Sequence, residues 1–382
     1  MKHLFFGLTL LSALVITSCQ KTNDASVATQ PSDENLYFQP TDAYLQKLQG
    51  YIDNTSVTAR DACSWTEIPA GSTNALASAI KNACAGGVIY LKAGAHTESA
   101  SLVVDKSLIF VGEMGATLKI KSQFSATVAG ITTFKPAFHV YNAPNSAFVN
   151  LDIQALDTVG GISILFENSG QSGVLLSKFT NFQFSVVMER SDRMTILKNT
   201  IVATDAWKRG TVQQVMSILN ISGTSQYIAQ NDISNGTHGM FVSDKWSTVE
   251  NNYAHNNNFG LVICAYASSS AILPNGNLTG IAKEGVGIKV RNNKITDTAN
   301  RGILVISGAN NNIFDNNEIA RSGIYDMELA SDTRRLGFLQ VATFNNTVNV
   351  GSFPTIKIKD CGNNNTINGG GVMVNTVTDP CN

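Results

Sequence analysis

Short apolar segments recur through the middle of the chain, and each is followed by polar residues. They are ISILFEN (162–168), SVVMERS (185–191), MSILNIS (216–222), GMFVSDK (239–245), GLVICAY (260–266), GILVISG (302–308), GIYDMEL (323–329) and TIKIKD (355–360). Segments of this length and composition predict β-strands. We expect them to form one continuous parallel sheet in which alternate side chains point inward. This register places five residues in the core: Phe241, Val262, Leu304, Tyr325 and Ile356. A shift of one residue would exchange the inner and outer sets.

An asparagine recurs beside these strands in similar short phrases, usually two residues before an apolar residue. The residues are Asn199, Asn231, Asn252, Asn293, Asn317, Asn346 and Asn365, with spacings of 32, 21, 41, 24, 29 and 19 residues. A period near twenty that is lengthened by insertions predicts stacked coils of a solenoid. We expect each Asn to occupy the same place in its coil. There it would adopt the left-handed conformation of a tight turn, and its amide would hydrogen-bond to the next coil.

Two helices are predicted ahead of the strands. Residues 41–53 carry apolar residues at helical spacing. The Ala-rich segment 75–83 can be capped by Ser72 or Thr73 and stopped by Gly86. Segments after this helix alternate between strands and glycine turns, which is typical of a β-rich fold.

The Ala-rich helix, the following GGVIYLKAG, the later LIFVGEMGATLKI and the Asn phrases together resemble right-handed parallel β-helices of the pectate-lyase-like superfamily. The resemblance covers residues 70–375 and implies an all-β fold, a single-stranded right-handed parallel β-helix with an N-terminal capping helix. Such a helix would cover the open edge of the first coil. We expect a signal peptide (1–18), a flexible tether (19–40), a helical cap (41–87) and the β-helix with its C-terminal cap (88–382).

The amino terminus resembles a bacterial lipoprotein signal. A short basic start precedes the apolar run LFFGLTLLSALVI, and Thr17, Ser18 and Cys19 follow. The run is too short to span a membrane comfortably. We expect lipidation of Cys19 and anchoring to the bacterial outer membrane or cell surface; a secretory peptide that contains a Cys is the alternative. Residues 34–39 (ENLYFQ) match the recognition pattern of a tag-removing protease and carry no functional inference.

The overall charge gives no reason to expect a nucleic-acid partner. Charged residues make up 14% of the chain and the net charge is −1, so attraction for a charged ligand must be local. We expect a monomer. Export permits disulfides, and the pairs Cys63–Cys84 and Cys361–Cys381 would each close a loop at one end of the stack. Cys264 is expected to pack inside as a small apolar residue.

Three insertions interrupt the series of strands, at residues 203–214, 267–285 and 330–340. All three should emerge at the borders of the same sheet. Long loops in a compact fold are usually functional or disordered. We therefore expect one face of this sheet to form the floor of a trough.

Polar residues near that face suggest cleavage of an acidic polysaccharide by β-elimination. The reaction needs a cation beside the uronate carboxylate, a base for the proton at C5 and an acid for the leaving oxygen. The catalytic candidates are His238, Lys245 and Arg301. The candidates for substrate binding are Trp207, Lys208, Arg209, Asp244, Tyr266, Asp326, Glu328 and Arg334.

Each candidate also has a structural interpretation. His238 could serve the turn beside it, and Arg301 could cover only its own coil. With a neighbouring carbonyl, Asp326 and Glu328 could bind Ca²⁺, as some members of the superfamily do, or act as the acid and base of a hydrolase. The Asn-Thr-Asp phrase and Asp-Asp pair of the superfamily's pectin hydrolases are absent from the sequence. A non-catalytic glycan-binding lipoprotein and a purely structural solenoid are the alternatives to a lyase.

Overall fold

The computed structural model describes residues 36–53, 63–128, 131–212, 214–268, 281–283, 285–331, 341–370, 372–373 and 381. All of them belong to one compact unit, Ser32–Asn382. The predicted signal peptide, Cys19 and Arg334 lie outside the described residues. No helix within the described ranges is long and apolar enough to cross a membrane.

Three parallel sheets run along the stack, and each coil passes from sheet C to sheet A and then to sheet B. Sheet A contains Trp65–Ile68, Gly87–Leu91, Leu108–Gly112, Ala147–Val149, Gly173–Leu175, Thr195–Leu197, Tyr227–Ala229, Thr248–Glu250, Lys289–Arg291, Ile313–Asp315, Thr347–Asn349 and Thr366–Asn368. Sheet B contains Gly94–Glu98, Ala116–Ile120, Asp152–Ala155, Lys178–Thr180, Thr200–Val202, Asp232–Ser234, Tyr253–His255, Lys294–Thr296 and Glu318–Ala320. Sheet C contains Leu102–Val104, Phe138–Tyr141, Gly160–Glu167, Phe182–Glu189, Met216–Asn220, His238–Val242, Phe259–Cys264, Arg301–Ile306, Tyr325–Leu329, Lys357–Asp360 and Val372–Met373.

Neighbouring strands of each sheet come from successive coils and pair in parallel, as Ile164, Val186 and Ile218 do in sheet C. The predicted right-handed parallel β-helix is therefore confirmed. Two antiparallel pairs, Gln123–Val128 with Ile131–Lys135 and Tyr266–Ser268 with Ile281–Lys283, leave the stack as hairpins.

The predicted register of sheet C is wrong by one residue for most of its length. The interior contains Met240, Leu261 and Ile303. The residues predicted to be inside, Phe241, Val262 and Leu304, form a separate apolar cluster on the outer face. Tyr325 is half-buried beside charged side chains, whereas Ile356 is in the interior as predicted. Because both faces of these strands are apolar, the alternation contains no polar positions that could fix the register.

Five of the recurrent asparagines form a continuous buried ladder where the chain passes from sheet A to sheet B. They are Asn199, Asn231, Asn252, Asn293 and Asn317. Each Nδ2 donates to the Oδ1 of the next Asn at 2.9 Å. The same Oδ1 atoms accept the backbone N–H of the preceding ladder Asn at 3.0 Å. Polar backbone groups at this buried corner are thus satisfied by the neighbouring coil.

The other two asparagines, Asn346 and Asn365, occupy a different corner, between sheet C and sheet A. They continue a second ladder that begins at Asn312, whose Nδ2 donates to Asn346 Oδ1 at 3.0 Å. The expectation that all seven share one place in the coil is therefore wrong. Both corners use a buried amide before a strand, so the two produce similar phrases.

The left-handed conformation belongs to the residue before each ladder Asn. Lys198, Gln230 and Asn251 have φ of 55°, 55° and 53°, whereas the ladder residues that follow them do not have positive φ. The turn and the ladder thus use two adjacent positions, which corrects the expectation that one Asn serves both. A ladder Asn is needed for its amide, and the residue before it is needed for its backbone.

The N-terminal segment Leu36–Ile52 runs across the outer face of sheet A, and we call it the strap. Its helix, Asp42–Ile52, begins at Thr41, whose Oγ1 accepts the N–H of Tyr44 at 3.2 Å. Leu48 is buried in an apolar cluster with sheet A side chains such as Trp65. This helix therefore covers the side of the stack.

The second helix, Leu76–Asn82, closes the interior at the first coil, with Leu76 and Ile80 in the main core. No side chain of its N-cap residue, Ala75, caps it, contrary to the expectation for Ser72 or Thr73. Instead, the carboxylate of Glu98 accepts the N–H of Leu76 at 2.8 Å. A carboxylate from a neighbouring strand thus takes the place of a local cap.

Two disulfides close the ends of the described stack. Cys63 is bonded to Cys84 and Cys361 to Cys381, the pairings suggested by their spacing. Cys264 is buried in the outer apolar cluster of sheet C and not in the interior, where it was expected. The covalent links lie where a solenoid has a neighbouring coil on one side only.

Substitution of Asn252 by Ala should be far more destabilising than the same change at Asn251. The first removes four buried hydrogen bonds and should lower the free energy of unfolding by about 3–5 kcal/mol. The second, at an exposed turn, should cost about 1 kcal/mol because Ala tolerates the left-handed conformation poorly. Urea unfolding followed by circular dichroism measures both. Equal losses would contradict the division of roles between the two positions.

Candidate functional site

The outer face of sheet C has charged groups at both ends and an apolar stretch between them. Glu167 and Glu189 lie toward the N-terminal end, and Arg301 and Glu328 lie toward the C-terminal end. Strand pairing separates the two groups by five coils, or about 24 Å at the usual strand spacing. The stretch between them is buried: Met216, Leu219, Phe241, Val262 and Leu304. The sheet therefore presents two separate polar clusters.

His238 and Arg301 lie in one column of sheet C, with Phe259 between them. The His238 ring stacks on Phe259 at a centroid distance of 5.1 Å and meets Phe241 edge-on at 5.9 Å. Removal from water lowers the pKa of His238 to about 4. The imidazole is therefore neutral near pH 7 and has little tendency to accept a proton.

Lys245 is not brought together with His238 and Arg301. It lies in the corner that follows the strand His238–Val242, where its backbone forms isolated parallel β-bridges with Thr224 and Val286. The structure therefore brings His238 and Arg301 into one column of sheet C and places Lys245 apart from them.

Asp244, the residue before Lys245, is completely buried. Its Oδ2 accepts Nδ2 of Asn220 at 2.5 Å and also the hydroxyl of Ser247. Such burial is incompatible with the predicted contact between Asp244 and a substrate. The carboxylate instead ties neighbouring coils together at this corner.

The loop that carries Trp207, Lys208 and Arg209 lies where sheet B passes into sheet C. Trp207 Nε1 donates to the carbonyl of Asn235 at 2.6 Å, and the Lys208 ammonium lies 5.6 Å from the Trp207 ring. Arg209 pairs with Asp205 within the same loop. Trp207 is half-buried, so its ring is fixed at the border of the face rather than free above it.

Two further predicted residues cannot be placed. The backbone of Tyr266 begins one hairpin strand, but its side chain lies outside the described part of the structure, as does all of Arg334. Their roles in substrate binding remain predictions from the sequence.

The C-terminal cluster joins two of the predicted residues. Arg301 is buried and pairs through Nε with Glu328. The Tyr325 ring lies 5.5 Å from the Arg301 guanidinium and 5.1 Å from the Lys359 ammonium. Lys359 Nζ also donates to the Tyr325 hydroxyl at 3.4 Å. The sequence interpretation missed Lys359 and placed Tyr325 in the core because it followed the wrong register.

Asp326 and Glu328 have different partners. Asp326 Oδ2 accepts the N–H of Lys357 at 2.9 Å, whereas Glu328 pairs with Arg301. Within the described ranges, no group of three or more His, Cys, Asp or Glu side chains could hold a metal ion. The described geometry therefore gives no support to a Ca²⁺ site at Asp326 and Glu328.

The N-terminal cluster consists of residues that the sequence interpretation missed. Glu167 and Glu189 end two adjacent strands and are direct pairing partners. The Glu167 carboxylate accepts a hydrogen bond from His139 Nε2 at 2.9 Å and another from the Arg190 guanidinium at 2.5 Å. Arg190 Nε also lies 3.8 Å from Glu189, so its guanidinium contacts both carboxyl groups. One signal was available in the sequence, because the two aligned strands both end in Glu.

The two carboxyl groups of this cluster have opposite pKa shifts. Burial raises the pKa of Glu189 to about 7, Arg190 opposes this shift, and the nearby Glu167 charge adds to it. Hydrogen bonding from His139 lowers the pKa of Glu167, and Arg190 adds to that effect. Glu189 Oε2 is buried without a hydrogen-bond partner among the described residues. Near pH 7 the pair therefore contains one ionised carboxylate and one carboxyl that can hold a proton.

Solvent reaches this cluster from one side. The Arg190 side chain is 45% exposed and the Glu189 side chain only 3%, so the guanidinium lies between the acid and solvent. Tyr141 is 40% exposed, and its ring centroid lies 5.5 Å from that of His139. An aromatic surface, a cation and two unequal carboxyl groups thus meet at one place.

Comparisons with known proteins agree with the fold. Residues 214–333 match the family model described as a right handed beta helix region. No curated protein matches the sequence. The polygalacturonase from Erwinia carotovora ssp. carotovora is 12% identical with a TM-score of 0.51, over 83% of this chain and 97% of that one.

Other solved structures are less similar. The A-module of the mannuronan C-5 epimerase AlgE4 from Azotobacter vinelandii is 14% identical with a TM-score of 0.43, over 78% of this chain and 90% of that one. The alginate lyase from Paenibacillus sp. str. FPU-7 is 10% identical with a TM-score of 0.38, over 80% and 99%. At these identities the comparisons show the shared fold alone.

Replacement of Glu189 by Gln should change how stability depends on pH. The pKa of Glu189 is raised from 4.5 to about 7 in the folded protein, so the unfolded chain releases this proton first. The free energy of unfolding of the parent therefore falls as pH rises between these values. Glu189→Gln should match the parent near pH 4.5 and exceed it by about 1–3 kcal/mol at pH 8 in urea unfolding.

Glu167→Gln is the contrasting variant. The lowered pKa of Glu167 contributes stability that is present above its ordinary pKa and is lost as pH falls. This variant should therefore be less stable than the parent near pH 7. Parallel pH profiles for the parent and both variants would contradict the opposite shifts.

Proposed function

We propose that this chain is an exported glycan-degrading enzyme that hydrolyses glycosidic bonds at Glu167 and Glu189. The observation that carries the proposal is that two buried glutamates are partners on adjacent strands of sheet C but have unequal surroundings. His139 and Arg190 bind Glu167, whereas burial dominates at Glu189, and the two pKa values shift in opposite directions. A neutral carboxyl beside an ionised one is the arrangement that acid-assisted glycoside cleavage requires.

Glu189 is the proton donor in this mechanism. Its carboxyl proton passes to the glycosidic oxygen as the bond to the anomeric carbon breaks. Glu167, held ionised by His139 and Arg190, attacks the same carbon and forms a glycosyl ester. Glu189, now ionised, takes a proton from water, whose oxygen releases the sugar from Glu167 and restores both groups.

The adjacency of the two strands favours retention of anomeric configuration. Parallel neighbours lie about 4.8 Å apart, close to the roughly 5 Å between carboxyl groups in retaining enzymes and well below the 6.5–9.5 Å of inverting ones. Arg190 must swing aside for a sugar to reach Glu189, and its 45% exposure leaves room for that movement.

An acidic glycan is the substrate class that this cluster fits best. Arg190 offers a partly exposed guanidinium for a uronate carboxylate, and Tyr141 offers a ring face for a sugar. The polygalacturonase on the same fold is, by its name, an enzyme of a uronic-acid polymer.

The location of the enzyme is proposed from its amino terminus. A lipid on Cys19 would anchor the protein to the bacterial outer membrane or cell surface, and the following residues would tether the β-helix to it. A monomer anchored in this way could act on extracellular polysaccharide. Labelling with a radioactive fatty acid tests the anchor, because Cys19→Ser should abolish incorporation.

Loss of either glutamate should abolish hydrolysis while the fold is retained. We expect Glu189→Gln and Glu167→Gln to reduce the release of reducing ends from polygalacturonate by about 10²–10⁴-fold. Glu98→Gln is the matched control, a buried glutamate at the first coil that should keep parental activity. Proton NMR of the first product should show the retained anomer.

Two results would overturn this proposal. One is parental turnover in both glutamate variants. The other is glycan binding without cleavage across a panel of pectate, alginate, glycosaminoglycans and neutral glucans, which would establish a non-catalytic glycan-binding protein.

A second candidate function, β-elimination, is favoured by the C-terminal cluster. Arg301 and Lys359 bracket the Tyr325 ring, so two cations lie beside one phenol that could transfer a proton. A lyase centred there would release unsaturated products that absorb near 235 nm, as expected of such double bonds. Tyr325→Phe should then abolish the absorbance, whereas Glu189→Gln should leave it unchanged. Reducing ends without this absorbance would exclude elimination in favour of hydrolysis.

A further inference from the structure

A cavity of about 220 Å³ lies on a different side of the solenoid, between the strap and the corner where sheet C passes into sheet A. The strap contributes Phe38 and Tyr44, and three successive coils contribute Asn145, Gln171 and Arg193. Drug-sized ligands usually occupy pockets of about 300–1,000 Å³, so this cavity suits one ring-sized group. It shares no residue with either cluster of sheet C.

The strap is held in place by contacts that extend beyond the cavity. Ser225 Oγ donates to the carbonyl of Leu36 at 2.6 Å, and the Tyr37 hydroxyl donates to the carbonyl of Gly287 at 2.7 Å. The Lys289 ammonium lies 3.6 Å from the centroid of the Tyr37 ring. The sequence of residues 34–39 by itself carries no functional inference, but these contacts make residues 36 and 37 part of the fold and place Phe38 beside the cavity. The aromatic side of the cavity is consequently preformed.

The opposite side presents three polar side chains at equal intervals. Asn145, Gln171 and Arg193 occupy the same left-handed turn position in successive coils, with φ of 62°, 57° and 54°. Successive coils place them about 4.8 Å apart. All three are exposed, and no described residue hydrogen-bonds to or pairs with their side chains. Two amides and one guanidinium are therefore free to bind a ligand.

The phenol of Tyr44 adds a polar group on the strap side. A β-carbon at Gly173 would lie 3.3 Å from this hydroxyl, which shows how closely the phenol approaches the coil. Burial raises the pKa of Tyr44 to about 12, so the phenol is neutral. No partner for the hydroxyl lies among the described residues, and it can donate to a ligand. The cavity thus combines ring faces with a set of hydrogen-bonding groups.

We propose that this cavity is a second carbohydrate-binding site, which takes one sugar ring that carries a carboxylate. Aromatic faces suit the apolar face of a sugar, and the amides suit its hydroxyl groups. Arg193 is the one charged group among the described lining residues, and its planar fork matches a carboxylate. The site would hold an acidic glycan away from sheet C. Binding at this site does not depend on whether sheet C cleaves the glycan.

The test uses the full chain with selectively ¹⁵N-labelled arginine and the Glu189→Gln change, which keeps an oligosaccharide probe intact. Arg193→Lys assigns the Nε signal of Arg193. We expect trigalacturonate to shift this signal in a saturable manner and maltotriose, a neutral trisaccharide, to leave it unchanged. No shift with trigalacturonate, or an equal shift with maltotriose, would overturn the proposal.

Variants separate this site from sheet C. Phe38→Ala should weaken the affinity read from the Arg193 signal at least tenfold. Arg193→Ala should weaken retention on a column of immobilised polygalacturonate, because only the sheet C site would then bind the polymer. It should leave cleavage by the otherwise parental enzyme unchanged. Lys198→Ala is the matched control, an exposed basic residue with the same left-handed backbone that is not among the residues lining this cavity. Equal affinity in Phe38→Ala and Lys198→Ala would refute the site even if sheet C cleaves the polymer.

Discussion

The in-register stacking of coils, fixed at the corners by buried amide ladders, is the interaction on which the rest of the structure depends. Strand pairing alone would leave polar backbone groups at the turns without partners inside the stack. Amides such as Asn231 satisfy them by bonding to the coil on each side. Because each amide must meet its neighbour, the ladder also fixes which residues of successive coils stand side by side. Together with strand pairing along the stack, and with serine hydroxyls at corners such as Ser169 and Ser191, the ladders set the spacing of side chains on the three faces.

This spacing creates the electrostatics of the N-terminal cluster of sheet C. Glu167 and Glu189 are neighbours because their strands pair residue for residue. Two carboxyl groups at that separation cannot both ionise without repulsion, and the surroundings decide which one remains neutral. His139 and Arg190 favour the charge on Glu167, while burial disfavours it on Glu189. A rigid sheet holds the two carboxyl groups together although this lowers the stability of the fold. In a flexible loop the two groups would move apart.

The sequence was sufficient to predict the fold because the period of the Asn phrases and the strand lengths are local features. It could not distinguish two corners that both use an amide before a strand, so Asn346 was assigned to the wrong one. It also could not fix the register of strands such as GMFVSDK, which are apolar on both faces. Only pairing across coils supplies that information.

The candidate site was predictable only in part, for the same reason. Arg301 and Glu328 were both selected, and they pair, but Lys245 lies around a corner that the sequence does not reveal. Glu167 and Glu189 resembled ordinary polar strand ends. Their distinction comes from burial and from His139, which is 28 residues away from Glu167.

The most direct measurement is a ¹³C NMR titration of glutamate carboxyl groups in the full-length protein. The stacked arrangement requires one carboxyl to titrate near pH 7 and to vanish in Glu189→Gln, while the signal lost in Glu167→Gln titrates below its ordinary range. If every glutamate titrated near its ordinary pKa, the unequal pair and the acid–base function built on it would be contradicted.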